Sequence, residues 1–166
     1  MSIVETLAAA VKPWNELYSH SKVVSASVTY AHLGSLLVGG GFAIASDRTA
    51  LRVRTADIEE RRRVLRDFAG IHKPVVTALA IIVVSGLAMM LADVETFLVS
   101  PVYWTKMALF VLLLSNGYLV MRTEHSLTTN PSPANPLWGR FTMGAIASLI
   151  LWLTTTLIGV ILMSAS

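Results

Sequence analysis

The sequence has no cysteine and few charged residues. Of its 166 residues, 54% are hydrophobic and only 14% are Asp, Glu, Lys or Arg. Without cysteine there are no disulfides, thiolate nucleophiles, cysteine-ligated iron–sulfur clusters or zinc ribbons. Soluble domains are roughly one-quarter charged, so this low charge content indicates a chain that is not surrounded by water. The net charge of +3 is too small to indicate nucleic acid as a partner.

Four apolar runs are long enough to cross a lipid bilayer. They cover residues 24–46, 70–92, 102–121 and 141–163, and spanning about 30 Å of hydrocarbon takes roughly 20 helical residues. Backbone groups find no water inside lipid, so spanning runs of this kind are helices. In residues 1–22, Trp14 and Tyr18 favour a helix lying in the membrane interface. We predict an all-α fold, in which residues 1–166 form one integral membrane four-helix bundle with a short N-terminal interfacial helix.

The charges between the runs predict the orientation of the protein. The first connection contains Arg48, Arg52, Arg54, Arg61, Arg62, Arg63 and Arg66. The second connection, 93–101, contains two acids and neither Lys nor Arg. Cytoplasmic loops carry the excess of Lys and Arg, so the first and third connections are expected in the cytoplasm. Both termini are then on the non-cytoplasmic side of a bacterial inner membrane.

His32 is the residue most indicative of function. It lies about eight positions into the first run, at a depth where ionisable side chains are costly and usually face the bundle interior. Ser35 and Gly39 follow on the same helix face, and Gly39 begins a Gly-Gly-Gly triplet. An imidazole beside so little side-chain volume is able to ligate haem iron, with the porphyrin against the glycine surface. The alternative, close helix packing with His32 bonded to a neighbour, stays open.

Lys106 is the second unusual residue, one turn into the third run and on the same outer side as His32. It is a candidate partner for a haem propionate or for the nearby acids Asp93 and Glu95, and a candidate proton-handling group. Alternatively, its long stem lets the ammonium reach the interface.

The remaining histidines are expected away from His32. His72 opens the second run at the cytoplasmic side, on the order of 20 Å deeper, so these two residues are a poor pair for one haem. His125 lies near the inner end of the third run, at a depth similar to that of His72. His20 approaches His32 only if the chain breaks between them.

Copper is the alternative to haem. An outer-face metal site would use His20, Asp93 and Glu95, or the outer methionines Met89, Met90 and Met107. Thioether sulfur suits cuprous copper, although methionine is also an ordinary packing residue in a membrane helix.

Four short elements carry a family resemblance. They are Tyr30-Ala31-His32-Leu33-Gly34-Ser35, the glycines 39–41, Pro74 with Ser85-Gly86-Leu87, and Trp104-Thr105-Lys106. Over about residues 30–121 the chain resembles the CopD-like copper-resistance proteins and the HemJ-type protoporphyrinogen oxidases. The HemJ-type resemblance implies a haem-binding bundle in which His32 ligates iron and Lys106 supports activity. The CopD-like resemblance implies copper handling across the inner membrane.

The predicted function is that of a b-type haem-binding membrane redox protein. It would exchange electrons with a quinone, a porphyrinogen or a partner protein, which makes it a possible haem-dependent oxidoreductase. His32 is the predicted metal ligand, Ser35, Gly39 and Lys106 are the predicted cofactor contacts, and Lys106 is also the candidate catalytic residue. The alternatives are a copper- or metal-handling transporter and a non-catalytic assembly subunit. Its small-residue faces predict a homo-oligomer or a partner membrane subunit.

Overall fold

The computed structural model describes residues 3–53, 56–132 and 134–165, and the secondary-structure elements in these residues are all helices. The helices are α1 (Ile3–His20), α2 (Lys22–Arg52), α3 (Ile58–Ala92), α4 (Val94–Val99), α5 (Pro101–Thr129) and α6 (Leu137–Ala165). By length and composition α2, α3, α5 and α6 are able to cross a membrane. The predicted all-α class with four apolar spans is confirmed, and the chain is a multi-pass membrane protein. Arg54 and the first two residues of the predicted interfacial segment lie outside the described residues.

Each long helix contains its predicted apolar run and extends beyond it. α2 continues to Arg52, so Asp47 and Arg48 are helical and do not belong to a loop. Hydropathy locates only the part of a helix that suits lipid, whereas the helical backbone continues through the polar residues that follow. α3 begins at Ile58, and the side chain of Asp57 caps it by accepting a hydrogen bond from the Glu60 backbone N–H at 2.8 Å.

The four long helices are arranged in a ring, and one pair of neighbours in the ring makes few contacts. α2 packs along α3, α5 packs along α6, and α2 also contacts α6, whereas α3 and α5 contact each other least. Gly39 allows α2 to approach α3 closely, because a Cβ added at Gly39 would lie 2.8 Å from the Cβ of Ala78. This contact gives the small residues of α2 a packing role.

The two ends of the ring are packed differently. The arginine end, where α2 and α5 finish and α3 and α6 begin, holds the larger apolar core. That core contains Ala50, Val53, Val64, Leu65, Phe68, Val120, Leu127, Trp138, Phe141 and Ala145. A smaller cluster, Ile82, Leu113 and Trp152, lies along the middle of the bundle. The opposite end has no comparable cluster among the described residues, and a cavity lies there.

Helix α1 packs against this second end, which we call the α1 end. The indole N–H of Trp14 donates to the Ala88 carbonyl at 2.8 Å, and the side-chain amide of Asn15 donates to the Ala92 carbonyl. Both carbonyls belong to the last turns of α3. These bonds hold α1 beside the end of α3, and the position of α1 in a membrane interface stays a prediction.

Candidate functional site

A cavity of about 200 Å³ lies between the long helices at the α1 end. Its walls are mostly apolar, and its polar side chains are Thr29, His32, Tyr103, Lys106, Thr155 and Thr156. We call it the His32 cavity. His32 and Lys106, predicted on separate grounds, both line it.

The hydrogen bonds of His32 determine which ring nitrogen carries the hydrogen. His32 is 8% exposed, and its Nδ1 lies 3.0 Å from the hydroxyl oxygen of Ser85. That hydroxyl also lies 2.6 Å from the carbonyl oxygen of Ile81, which can only accept. A hydroxyl has one hydrogen, so Ser85 donates to Ile81 and accepts from the Nδ1–H of His32. The neutral ring therefore keeps its lone pair on Nε2.

The same contacts orient the ring. A Cβ added at Gly86 would lie 3.2 Å from Cε1 and 3.6 Å from Nδ1 of His32, so the Nδ1–Cε1 edge packs against α3. Nε2, which is bonded to Cε1, lies more than 4 Å from that added Cβ, and the His32 ring lines the cavity. His32 thus offers the cavity a hydrogen-bond acceptor or a metal ligand.

Lys106 brings a positive charge to this cavity. Its ammonium lies beside Gly159, where an added Cβ would be 3.4 Å from Nζ, so the missing side chain makes room for it. None of the ion pairs found among the described residues includes Lys106. The pairing with Asp93 or Glu95 that the sequence suggested is therefore not observed. Asp93 instead accepts from the Thr96 backbone N–H at 3.3 Å and caps α4.

Two further features of the walls bear on what the cavity could bind. The hydroxyl of Thr155 is buried and has no hydrogen-bond partner among the described residues. Four methionines, Met89, Met90, Met107 and Met163, also line the cavity. A ligand would therefore meet polar groups at a few points and sulfur or hydrocarbon elsewhere.

The other predicted site residues lie elsewhere. Ser35 lines a shallow pocket with Lys73 and Pro74, outside the His32 cavity. Gly39 faces Ala78 and Trp152, and Gly40 faces Trp152, so side chains of this protein cover two of the three glycines on which a porphyrin was expected to lie.

The outer-face metal site is not found. His20 is exposed, and its Nδ1 lies 2.9 Å from the carbonyl oxygen of Glu16. Within the described ranges no group of three or more His, Cys, Asp or Glu residues could hold a metal ion. His20, Asp93 and Glu95 therefore form no such group there.

A second group of polar residues lies toward the arginine end. His72 of α3 is hydrogen-bonded to Glu124 of α5, and Asp47 of α2 is buried nearby along the bundle. Sequence reasoning did not single out Glu124 or Asp47. A signal for Asp47 was present, because it continues the four-residue steps through Gly39 and Ala43 on the face that packs inward.

The space in the His32 cavity limits its ligand. Pockets that enclose a whole drug-sized ligand measure roughly 300–1,000 Å³, so about 200 Å³ encloses a head group and not a complete macrocycle. Leu33, Leu87 and Val160 line the cavity and are also largely exposed on the apolar surface. The cavity therefore opens sideways, toward the region that lipid would occupy.

Comparisons with known proteins identify a family for this chain but do not indicate an activity. Residues 18–163 match a family of unknown function (DUF6644). No curated protein and no solved structure matches the chain.

Proposed function

The chain belongs to the DUF6644 family, and from its own geometry we propose that it is a membrane redox protein that binds a quinol or quinone in the His32 cavity. The observation that carries this proposal is the pairing of one acceptor with one donor in an apolar cavity. Nε2 of His32 carries the lone pair of the neutral ring, and the Lys106 ammonium has no carboxylate partner among the described residues.

These two groups match the two oxygens of a quinol. One quinol hydroxyl donates to Nε2 of His32, and the other oxygen accepts from the Lys106 ammonium. Burial strengthens both interactions, because no water competes for them in an apolar cavity. Neither His32 nor Lys106 alone would make the cavity prefer a quinol to other ligands. An acceptor without the cation would suit any hydroxyl, and a cation without the acceptor would suit any anion.

Size and access support the same ligand. A cavity of about 150 Å³ is able to take a benzene ring, so the volume of about 200 Å³ suits a substituted six-membered ring. The sideways opening past Leu33, Leu87 and Val160 lets an isoprenoid tail remain among the acyl chains. A redox molecule dissolved in the bilayer would enter by this route.

The residues also suit proton removal from a quinol. Nε2 accepts the hydroxyl proton, and the resulting imidazolium keeps its Nδ1–H bond to Ser85. When the second hydroxyl also loses its proton, to water, the Lys106 ammonium stabilises the negative charge on that oxygen. The two electrons leave to a redox partner protein, which is the role proposed for a partner membrane subunit.

Haem b is the second candidate, and the Nε2 lone pair of His32 favours it. Ligating histidines almost always hold their other ring N–H in a hydrogen bond, as His32 does with Ser85. The donors suit haem, with Lys106 available for a propionate. The space does not suit haem, because the volume that the His32 cavity encloses is small and side chains cover Gly39. Copper suits the methionine sulfurs but is opposed by the charge of Lys106.

Binding of a short-chain ubiquinol to the full-length protein in lipid nanodiscs tests the proposal. Trp152 lines the cavity, so its fluorescence is the readout. We expect saturable binding that weakens about 10- to 100-fold in Lys106→Met, since a hydrogen bond to a charged group contributes about 1.5–3 kcal/mol. In His32→Ala it should weaken about fivefold, since a hydrogen bond to the neutral ring contributes about 1 kcal/mol. Lys73→Met is the matched control, because Lys73 is exposed and outside the cavity. Equal affinities in wild type and both cavity variants would refute the proposal.

Absorption spectra of the same preparation distinguish quinol from haem. Protein expressed with haem available and purified in detergent is expected to show no Soret band and to bind the quinol. A Soret band that is present in wild type and lost in His32→Ala would favour haem b.

The kind of membrane and the orientation of the protein in it are also proposals. We propose a bacterial inner membrane with the arginine end in the cytoplasm and both termini on the other side. The arginines near the α2–α3 connection support this orientation. The bonds from Trp14 and Asn15 to the end of α3 support an interfacial α1 at the opposite surface.

A further inference from the structure

A second cavity, of about 450 Å³, lies between the His32 cavity and the arginine end. Its polar side chains are Ser46, Asp47, His72, Tyr118 and Ser148, and its other walls are apolar. We call it the Asp47 cavity. Nothing in the proposed quinol chemistry uses it.

Asp47 is the unusual group in this cavity. It is 4% exposed and lies beside Ser148. Its carboxyl oxygen Oδ2 has no hydrogen-bond partner among the described residues. An ionised carboxylate buried among apolar walls is costly unless it is paired, so an unpaired aspartate in this position is a candidate site for a proton or an ion.

The surroundings of Asp47 restrict what it binds. From α3 it faces His72, whose ring is bonded to Glu124. From α5 it faces Tyr118, and from α6 it faces Ser148. None of the ion pairs found in the described chain includes Asp47, so no Lys or Arg neutralises it there. The described residues also hold no metal-binding group of three or more His, Cys, Asp or Glu, so a proton fits this site better than a metal ion.

We propose that the Asp47 cavity is a proton-binding site in which Asp47 takes a proton from water at the arginine end and holds it on Oδ2. The step forms one O–H bond from a carboxylate and a solvent proton and needs no other reactant. The proton removes the charge that the apolar walls cannot stabilise.

The proton site is separated from the His32 cavity by a thin apolar wall. Val83, Leu113 and Trp152 line both cavities, and Leu113 and Trp152 belong to the central apolar cluster. With this wall closed, a proton held by Asp47 does not reach His32. The proposed proton site therefore does not depend on whether the His32 cavity binds a quinol.

Carbodiimide labelling of the full-length protein tests the site. A hydrophobic carbodiimide reacts with protonated carboxyl groups in apolar surroundings, and peptide mass spectrometry locates the adduct. At neutral pH we expect an adduct on Asp47 of the wild type that is absent in Asp47→Asn. Asp67→Asn is the matched control, because Asp67 is exposed on α3, and it should leave the Asp47 adduct unchanged. Adducts only on exposed carboxylates would overturn the proposal.

Infrared spectroscopy of the wild type covers the case in which Asp47→Asn fails to fold. With carbon-13 aspartate incorporated, a protonated carboxyl carbonyl band at neutral pH should move to lower frequency. Its absence would overturn the proposal. Loss of both the band and the adduct on adding sodium chloride at constant pH would also overturn it, because the occupant would then be a metal cation.

Discussion

Glu124 on α5 is hydrogen-bonded to His72 on α3, across the side of the ring where the long helices contact each other least. The Glu124 side chain is 5% exposed, and that of His72 is 33% exposed. Among the described residues this is the hydrogen bond that joins α3 to α5. It closes the ring at the arginine end, whereas at the α1 end the same two helices contribute walls to the His32 cavity.

Removing either partner of this bond is expected to destabilise the protein. His72→Phe and Glu124→Leu should each lower the free energy of unfolding by about 1.5–3 kcal/mol, the range for a hydrogen bond to a charged group. Unfolding by sodium dodecyl sulfate in mixed micelles measures the change. The double variant should lose less than the sum of the two, since both substitutions break one interaction. His125→Phe is the control, because His125 is exposed at the same end of α5, and strictly additive losses would contradict a direct bond.

Ser85→Ala should weaken ligand binding, although Ser85 does not line the His32 cavity. The Nδ1–H of His32 loses its acceptor, so the lone pair no longer stays on Nε2 and the ring is no longer oriented. We expect affinity for the ubiquinol analogue to fall about fivefold, as for loss of a neutral hydrogen bond of about 1 kcal/mol. Ser85→Thr keeps the hydroxyl and should recover most of the affinity. A Ser85→Ala variant with wild-type affinity would mean that His32 needs no positioning.

Gly39→Ala should destabilise the packing of α2 against α3. The new Cβ would lie 2.8 Å from the Cβ of Ala78, so the helices must separate at a cost of about 1–3 kcal/mol. Gly41→Ala is the matched control, because an added Cβ there has nothing within 4 Å. The same micellar unfolding experiment compares the two, and similar effects would argue against close packing at Gly39.

Filling the space beside Lys106 should block the His32 cavity. In Gly159→Leu the larger side chain would enter the region near Nζ, where an added Cβ alone would lie 3.4 Å away. Binding of the ubiquinol analogue is expected to fall at least tenfold. Gly117→Leu adds the same group where a Cβ meets nothing within 4 Å, and it should bind normally. Undiminished binding in Gly159→Leu would exclude this part of the cavity as the ligand site.

Single cysteines can test the orientation, because the sequence contains none. Glu59→Cys and Glu95→Cys introduce thiols at exposed positions near opposite ends of α3. A membrane-impermeant maleimide applied to spheroplasts should label position 95 and should reach position 59 only after lysis. The reverse pattern would invert the proposed topology.

Sequence patterns predicted the parts of the site that depend on depth along one helix. His32 and Lys106 are each unusual within a single apolar run, and the structure brings both into one cavity. Ser35 and Gly39 share a helix face with His32, yet they lie in other surroundings. A shared helix face does not determine which neighbour covers each turn, and here Ala78 and Trp152 cover Gly39.

The sequence by itself determined the four apolar helices and the position of His32 within the first of them, because the energy of leaving water depends on each residue and its position in a run. Only the tertiary structure decided that Ser85 orients His32, that His72 bonds to Glu124, and that Asp47 lies buried beside Ser148. Those relationships join different helices, and which helix faces meet depends on how all the side chains pack together.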